Sequence, residues 1–287
     1  SADSFLMAPT MLAGLPPWIS PTSRRKRSVP AAGGPRGRSR AGRAFSRGPF
    51  GAASACAGRR AGGGAPGRFD SRAVGGVDLA GLSPESRTEV LDRLGEADAL
   101  SVRDHVTRAR LAASGIDAAL VPDPVGRVPE LFAERIRAHA RGGEPAAVRA
   151  AMGAAHPRGY LAMQFAAEYG DDASLDAIAR HLDALLADTG LGLVLFRAGA
   201  APWHDDPGVY RRLAARLDSA AVHLFQSPDV WDICALLAGA SRYCGTSLHG
   251  WILSRALGVE TTPFPLPLHQ AKLAAYQETW ASARPMP

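Results

Sequence analysis

The stretch Tyr243 to Trp251 reads YCGTSLHGW. It sets Gly245, Ser247, Leu248 and His249 between an apolar run and an apolar helical pattern, WILSRALGV. Gly245 permits a tight turn and a close backbone approach. Ser247 is placed to cap the next helix, with Leu248 as its first residue. A helix start carries unpaired N–H groups and the positive end of the helix dipole, which suits a phosphate or a carboxylate. His249, in the first turn, can point at the same anion and serve as a general acid. The same turn also fits a plain capped helix whose histidine is satisfied by neighbours.

Two arginines follow other apolar runs. Arg103 comes after ALSV and precedes Asp104; it either pairs with that aspartate or binds an anion. Arg197 closes LVLF, so its head emerges at a strand end, facing a cleft or solvent. Guanidinium forks match carboxylate and phosphate geometry. His204, Asp205 and Asp206 resemble a metal cluster, but adjacent aspartates point apart and no partner ligand has the right spacing. They read instead as an acidic cap for PGVYRRLAARL, and no metal site is expected. His223, inside a strand, reads as a satisfied core residue, and the other histidines show no convergent pattern. Cys56, Cys234 and Cys244 have neither metal-ligand spacing nor an even count, so no disulfide framework is expected. A reducing cytoplasm follows.

These residues need elements to carry them. Strands are expected at 98–104, in IDAALVPDPV, and at 159–166, 191–199, 220–226 and 241–247. Helices are expected in LSPESRTEVLDRLGEA, capped by Ser83 with Pro84 next, in HVTRARLAASG, closed by Gly115, and in PELFAERIRAHARGG. Further helices are expected at about 173–189, 206–217, 228–238, 248–257 and 268–283. Apolar strands alternating with amphipathic helices predict βαβ units and parallel sheets covered on both faces. Sites in such sheets lie beyond the carboxyl ends of the strands. Arg103, Pro122–Val125, Arg197, Gln226–Ser227 and the GTSLHG turn all fall there.

The 287 residues carry a net charge of +6, yet residues 24–69 hold twelve Arg or Lys and no Asp or Glu, leaving about −6 for the rest. Residues 20–75 are Arg, Gly, Ala, Ser and Pro in no period. Such text cannot bury enough apolar surface to offset its ordering entropy and is expected to be disordered. It reads as an unstructured tail, as a basic arm for an anionic polymer, or as GC-rich coding DNA read in a wrong frame. No specific nucleic-acid binding is expected, since only Phe45 and Phe50 interleave the charges. No apolar run reaches 18 residues, so no membrane span is expected. The first residues lack a basic n-region, so no secretory signal is read. The expected division is a low-complexity segment at 1–75, a partial Rossmann-like domain at 76–142 and a second Rossmann-like domain at 143–287.

The order and spacing of LSVRD, SGIDAALVPDPV and CALLAGASRYCGTSLHG resemble the polysaccharide pyruvyl transferase family, over about residues 95–258. The resemblance implies a GT-B-like fold of two Rossmann-type domains facing a cleft. It implies transfer of a pyruvyl group from phosphoenolpyruvate to two hydroxyls of a cell-surface or exopolysaccharide sugar, giving a ketal. By that likeness His249 contacts phosphoenolpyruvate as acid or phosphate partner. Arg103, Arg197, Gly245, Ser247 and Leu248 are expected to form an anion-binding rim, Arg197 from its placement beyond a strand and not from the motifs. No cofactor is implied beyond the donor substrate, and the acceptor is a sugar or a glycolipid, bringing peripheral membrane association with it. The family's usual opening strand and Asn-x-Gly-Asp turn are not found, so the first domain reads as incomplete, with two strands. Two other readings stay open: a GT-B glycosyltransferase using a nucleotide sugar, and a truncated, non-catalytic remnant with an anionic-polymer-binding tail.

Overall fold

The computed structural model describes residues 69–199, 205–218, 222–267 and 271–280. The basic segment up to residue 68 and His204 lie outside the described residues.

The first unit is a parallel three-stranded sheet in the order β1-β2-β3, formed by β1 (Asp70–Val74), β2 (Ala99–Val102) and β3 (Ala119–Leu120). Helix α1 (Pro84–Gly95) joins β1 to β2, and α2 (His105–Ala112) joins β2 to β3. Ser83 caps α1 by accepting the Ser86 N–H at 3.2 Å, with Pro84 in the first turn as expected. Gly115 takes φ +74° after α2, a conformation glycine adopts without steric cost. Leu79, Leu94, Val102 and Leu111 form the small core.

Two expectations need correcting here. Residues 70–74 fall inside the stretch read as disordered, yet they pair with β2, Asp70 opposite Ala99 and Ser71 opposite Leu100. The unit therefore has three strands where two were expected. DSRAV is a weak strand by composition, so it is tertiary pairing that makes it one. A register shift between Ser71 and Val74 puts Ala73 at φ +51°.

The second unit is a parallel five-stranded sheet in the order β6-β5-β4-β7-β8. Its strands are β4 (Tyr160–Gln164), β5 (Gly192–Leu195), β6 (Val222–Leu224), β7 (Arg242–Gly245) and β8 (Glu260–Thr262). Every residue of β4 and β5 is buried, as strands covered on both faces must be. Alternate side chains serve opposite cores: Tyr160 and Ala162 pack toward one, Leu161 and Met163 toward the other. One core lies under α3 (Val128–Ala140), α4 (Gly143–Ala155), α7 (Val230–Gly239) and α8 (Leu248–Ala256). The other lies under α5 (Asp172–Thr189) and α6 (Pro207–Ala214). Sequence reading missed α4, whose Gly-Gly-Glu-Pro start reads as a stop, and the short polar β8.

The last helix, α9 (Ala271–Trp280), bridges the units: Leu273 and Tyr276 lie in the second unit's core beside α8, and the helix also packs on α2 and on the 3-10 turn Val77–Gly81 of the first. Its Thr279 hydroxyl accepts the His105 N–H at 3.0 Å, and its Trp280 indole donates to the Arg103 carbonyl at 2.8 Å.

Candidate active site

The GTSLHG turn sits where β7 passes into α8, and residues 243–250 are all buried. The local sequence explains the shape. A Cβ at Gly245 would stand 2.5 Å from the Gln164 carbonyl and 2.6 Å from the Tyr243 hydroxyl, so only glycine fits. The Ser247 hydroxyl accepts the Gly250 N–H at 3.2 Å, the expected cap. The Ser247 N–H is taken by the Gln164 side chain at 3.0 Å, so this serine shapes the turn from both ends. Leu248 buries its side chain in the core. Its backbone N–H, at the start of α8, has no hydrogen-bond partner among the described residues.

His249 meets Arg103 across the two units. The imidazole Nε2 lies 3.3 Å from the Arg103 Nη1 and 3.4 Å from the Asp123 Oδ2. Arg103 donates to that same Asp123 oxygen at 3.0 Å. The side chains of Arg103, Asp123 and His249 are 12%, 0% and 11% exposed, so the cluster is almost sealed from water. Asp123 accepts the Val125 N–H at 3.0 Å through its other oxygen, and its own N–H donates to the Tyr276 hydroxyl at 3.3 Å. Burial alone would raise the Asp123 carboxyl. The charges and hydrogen bonds of His249, Arg103 and the Val125 N–H outweigh that and hold it down at about 2. Burial and the Asp123 charge push the Tyr276 phenol up to about 12.

Arg103 does not pair with Asp104, the alternative left open by the sequence. Asp104 is buried and caps α2, accepting the Thr107 N–H at 2.7 Å and the Thr107 hydroxyl at 2.8 Å. That leaves the Arg103 head free to turn toward Asp123. Gly75 closes it from another side: a Cβ there would stand 2.5 Å from Nη2.

Arg197 lies at the carboxyl end of β5, half-buried, with no hydrogen-bond or ion-pair partner among the described residues. Asp205 holds the next two residues, accepting the Ala198 and Gly199 N–H groups at 2.7 and 3.2 Å. Gln164, at the end of β4, donates to Asp205 at 2.9 Å and accepts from Ser247. This buried glutamine ties the Arg197 loop to the His249 turn, and the sequence analysis missed it. Asp206 caps α6 through the Gly208 N–H at 2.7 Å, as read from sequence.

The rim beyond β6 is already occupied. Glu144 accepts the Gln226 and Ser227 N–H groups at 2.8 and 2.7 Å and faces His223 at 3.3 Å. His223 is thus partnered, but one-third exposed rather than in the core. His139, Asp229 and Asp232 bring ligand-type atoms within 4.8 Å of one another, a convergence the sequence did not reveal. Asp229 caps α7 there, while Asp232 faces His139 at 2.7 Å and accepts the Ser227 hydroxyl at 2.6 Å. Cys234 and Cys244 are buried free thiols pushed up to about 12 by burial, which disfavours the reactive thiolate.

A family model described as polysaccharide pyruvyl transferase matches residues 80–266, more than half of the chain. The chain belongs to the polysaccharide pyruvyl transferase family. A search of curated proteins returned no match. Among solved structures, this pyruvyl transferase family member is similar to a UDP-GlcNAc 2-epimerase from Neisseria meningitidis. The two share 13% identity over 69% of this chain and 52% of that one, at a TM-score of 0.45. It is similar to an α,α-trehalose 6-phosphate synthase from Burkholderia multivorans, with 13% identity over 70% and 60% of the chains and a TM-score of 0.44. For the Methanocaldococcus jannaschii UDP-GlcNAc 2-epimerase the figures are 12% identity, 58% and 45% coverage and a TM-score of 0.42. The chain spans about half the length of the solved structures it first matches. The α/β class and the two parallel sheets agree with the GT-B-like expectation. Among the described residues no helix is long and apolar enough to cross a membrane.

Proposed function

We propose that the protein transfers a pyruvyl group from phosphoenolpyruvate to a sugar of a cell-surface or exopolysaccharide, forming a pyruvate ketal. The observation that carries this reading is the meeting of Arg103 with His249 at the N-terminus of α8, from opposite units. The donor carries a carboxylate and a phosphate. Arg103, the Leu248 N–H and Arg197 supply positive groups of the kind both anions need.

In the reaction a proton adds to the donor's methylene carbon, and the neighbouring carbon becomes oxocarbenium-like. A sugar hydroxyl attacks that carbon and loses its proton, and the bond to the phosphate oxygen breaks. A second hydroxyl then attacks the same carbon, loses its proton and closes the ketal. His249 is assigned the proton delivery, as general acid or phosphate partner. Gly245 and Ser247 shape the turn that presents it. The reaction needs no cofactor beyond the donor substrate, and the reading keeps the enzyme cytoplasmic, reaching a membrane only through a lipid-linked acceptor.

The test is phosphate release from phosphoenolpyruvate in the presence of lipid-linked and nucleotide-linked sugars. Acceptor-dependent release is expected, and His249→Ala should lower turnover by about 10²–10⁴-fold. A thermal shift larger with nucleoside diphosphates than with phosphoenolpyruvate would overturn the reading in favour of a nucleotide-sugar glycosyltransferase.

A further inference from the structure

Resting on the phosphoenolpyruvate reading, we infer that Asp123 is a positioning residue. It holds Arg103 of the first unit and His249 of the second as one anion-receiving pair. Asp123 has no direct part in the chemistry above, and its side chain is fully buried. A buried carboxylate is costly unless good geometry and further hydrogen bonds satisfy it. Here each of its groups has an assigned partner. The oxygen Oδ2 lies between the Arg103 and His249 nitrogens, at 3.0 and 3.4 Å. Oδ1 accepts from Val125, and the backbone N–H donates to Tyr276.

The arrangement solves a problem of like charge. Arg103 and the imidazole stand 3.3 Å apart, and a protonated imidazole would repel the guanidinium at that distance. The carboxylate touching both removes the conflict before any donor arrives. Two anchors then fix where the pair stands. Asp123 opens the 3-10 turn Pro124–Arg127, which packs on α8, the helix that carries His249. The last helix holds the other side, with Tyr276 on the Asp123 N–H and Trp280 on the Arg103 carbonyl. Among the described residues, Arg103 and Asp123 face His249, and the Tyr276 hydroxyl accepts the Asp123 N–H.

The experiment uses the full chain with histidine rings isotopically labelled, the His249 signal being assigned by its loss in His249→Gln. Asp123→Asn is expected to move that signal and to weaken phosphoenolpyruvate binding at least tenfold. Asp123→Glu keeps the charge but displaces it, and should recover part of the affinity. Tyr276→Phe should move the signal in the same direction by less. A folded Asp123→Asn protein with an unmoved ring signal, or with wild-type affinity for phosphoenolpyruvate, overturns the assignment. A purely structural role would lower the unfolding temperature without moving the ring signal in the folded protein. If Asp123→Asn does not fold, Tyr276→Phe decides by the same two readouts. If the wild type binds no phosphoenolpyruvate, the functional reading fails while the ring signal still judges Asp123.

Discussion

The two arginines of the rim live in opposite circumstances. Arg103 is held on every side, by Asp123 and His249 at its head, Gly75 against its guanidinium and Trp280 on its carbonyl. Arg197 is half-buried at the end of β5 with no partner among the described residues. The difference separates two tasks that one residue type can perform. A pinned arginine loses little freedom when an anion arrives, and an unpaired one has its full bonding capacity to offer.

Substitution at each should break the comparison in a different way. Arg103→Ala removes one of the two cations facing a buried carboxylate and should cost about 3 kcal/mol of stability, read by urea unfolding. A cost near zero would show that the contact is incidental. Acid titration gives the next effect. Asp123 sits at about 2 in the folded protein against an ordinary 3.8, so its contribution is complete above that ordinary value and is lost as pH falls toward 2. The loss is about 2 kcal/mol. Asp123→Asn should remove this acid limb from a plot of stability against pH, and an unchanged slope would refute it. Arg197→Ala should leave stability within about 0.5 kcal/mol. It should weaken phosphoenolpyruvate binding about tenfold, the worth of one charge-assisted hydrogen bond, as measured by calorimetry. Equal affinity would remove Arg197 from the site. The smallest effect belongs to Gly75→Ala. Its methyl group must displace the Arg103 head, a small-to-large strain of about 1 kcal/mol, so the unfolding midpoint and phosphoenolpyruvate affinity should both fall slightly; an unchanged midpoint would show that the head yields freely.

Parts of the candidate site and fold also differed in how much the sequence showed of them. The placement of Arg103, Arg197 and His249 beyond strand ends was legible because each follows an apolar run, and parallel sheets gather their sites at that edge. The strands of the second sheet were legible for a related reason: burial on both faces leaves unbroken apolar runs such as LVLF. Asp123 was not legible. In PDPV it reads only as a residue between strand-stopping prolines, and its partner His249 is 126 positions away by the residue numbers. Gln164 was hidden likewise, a single polar residue at the end of an apolar strand whose bonds reach residues 41 and 83 positions away. Asp104 misled because sequence adjacency suggested a partner for Arg103, whereas helix capping takes both carboxylate oxygens. Strand β1 escaped because DSRAV carries no apolar alternation and directly follows the basic text of residues 24–69.

The position of α9 gives one helix a hold on both partners of the cluster. Tyr276 accepts the Asp123 N–H while its ring lies in the core beside α8, and Trp280 donates to the Arg103 carbonyl. A displacement of this helix would therefore reach the carboxylate and the guanidinium together.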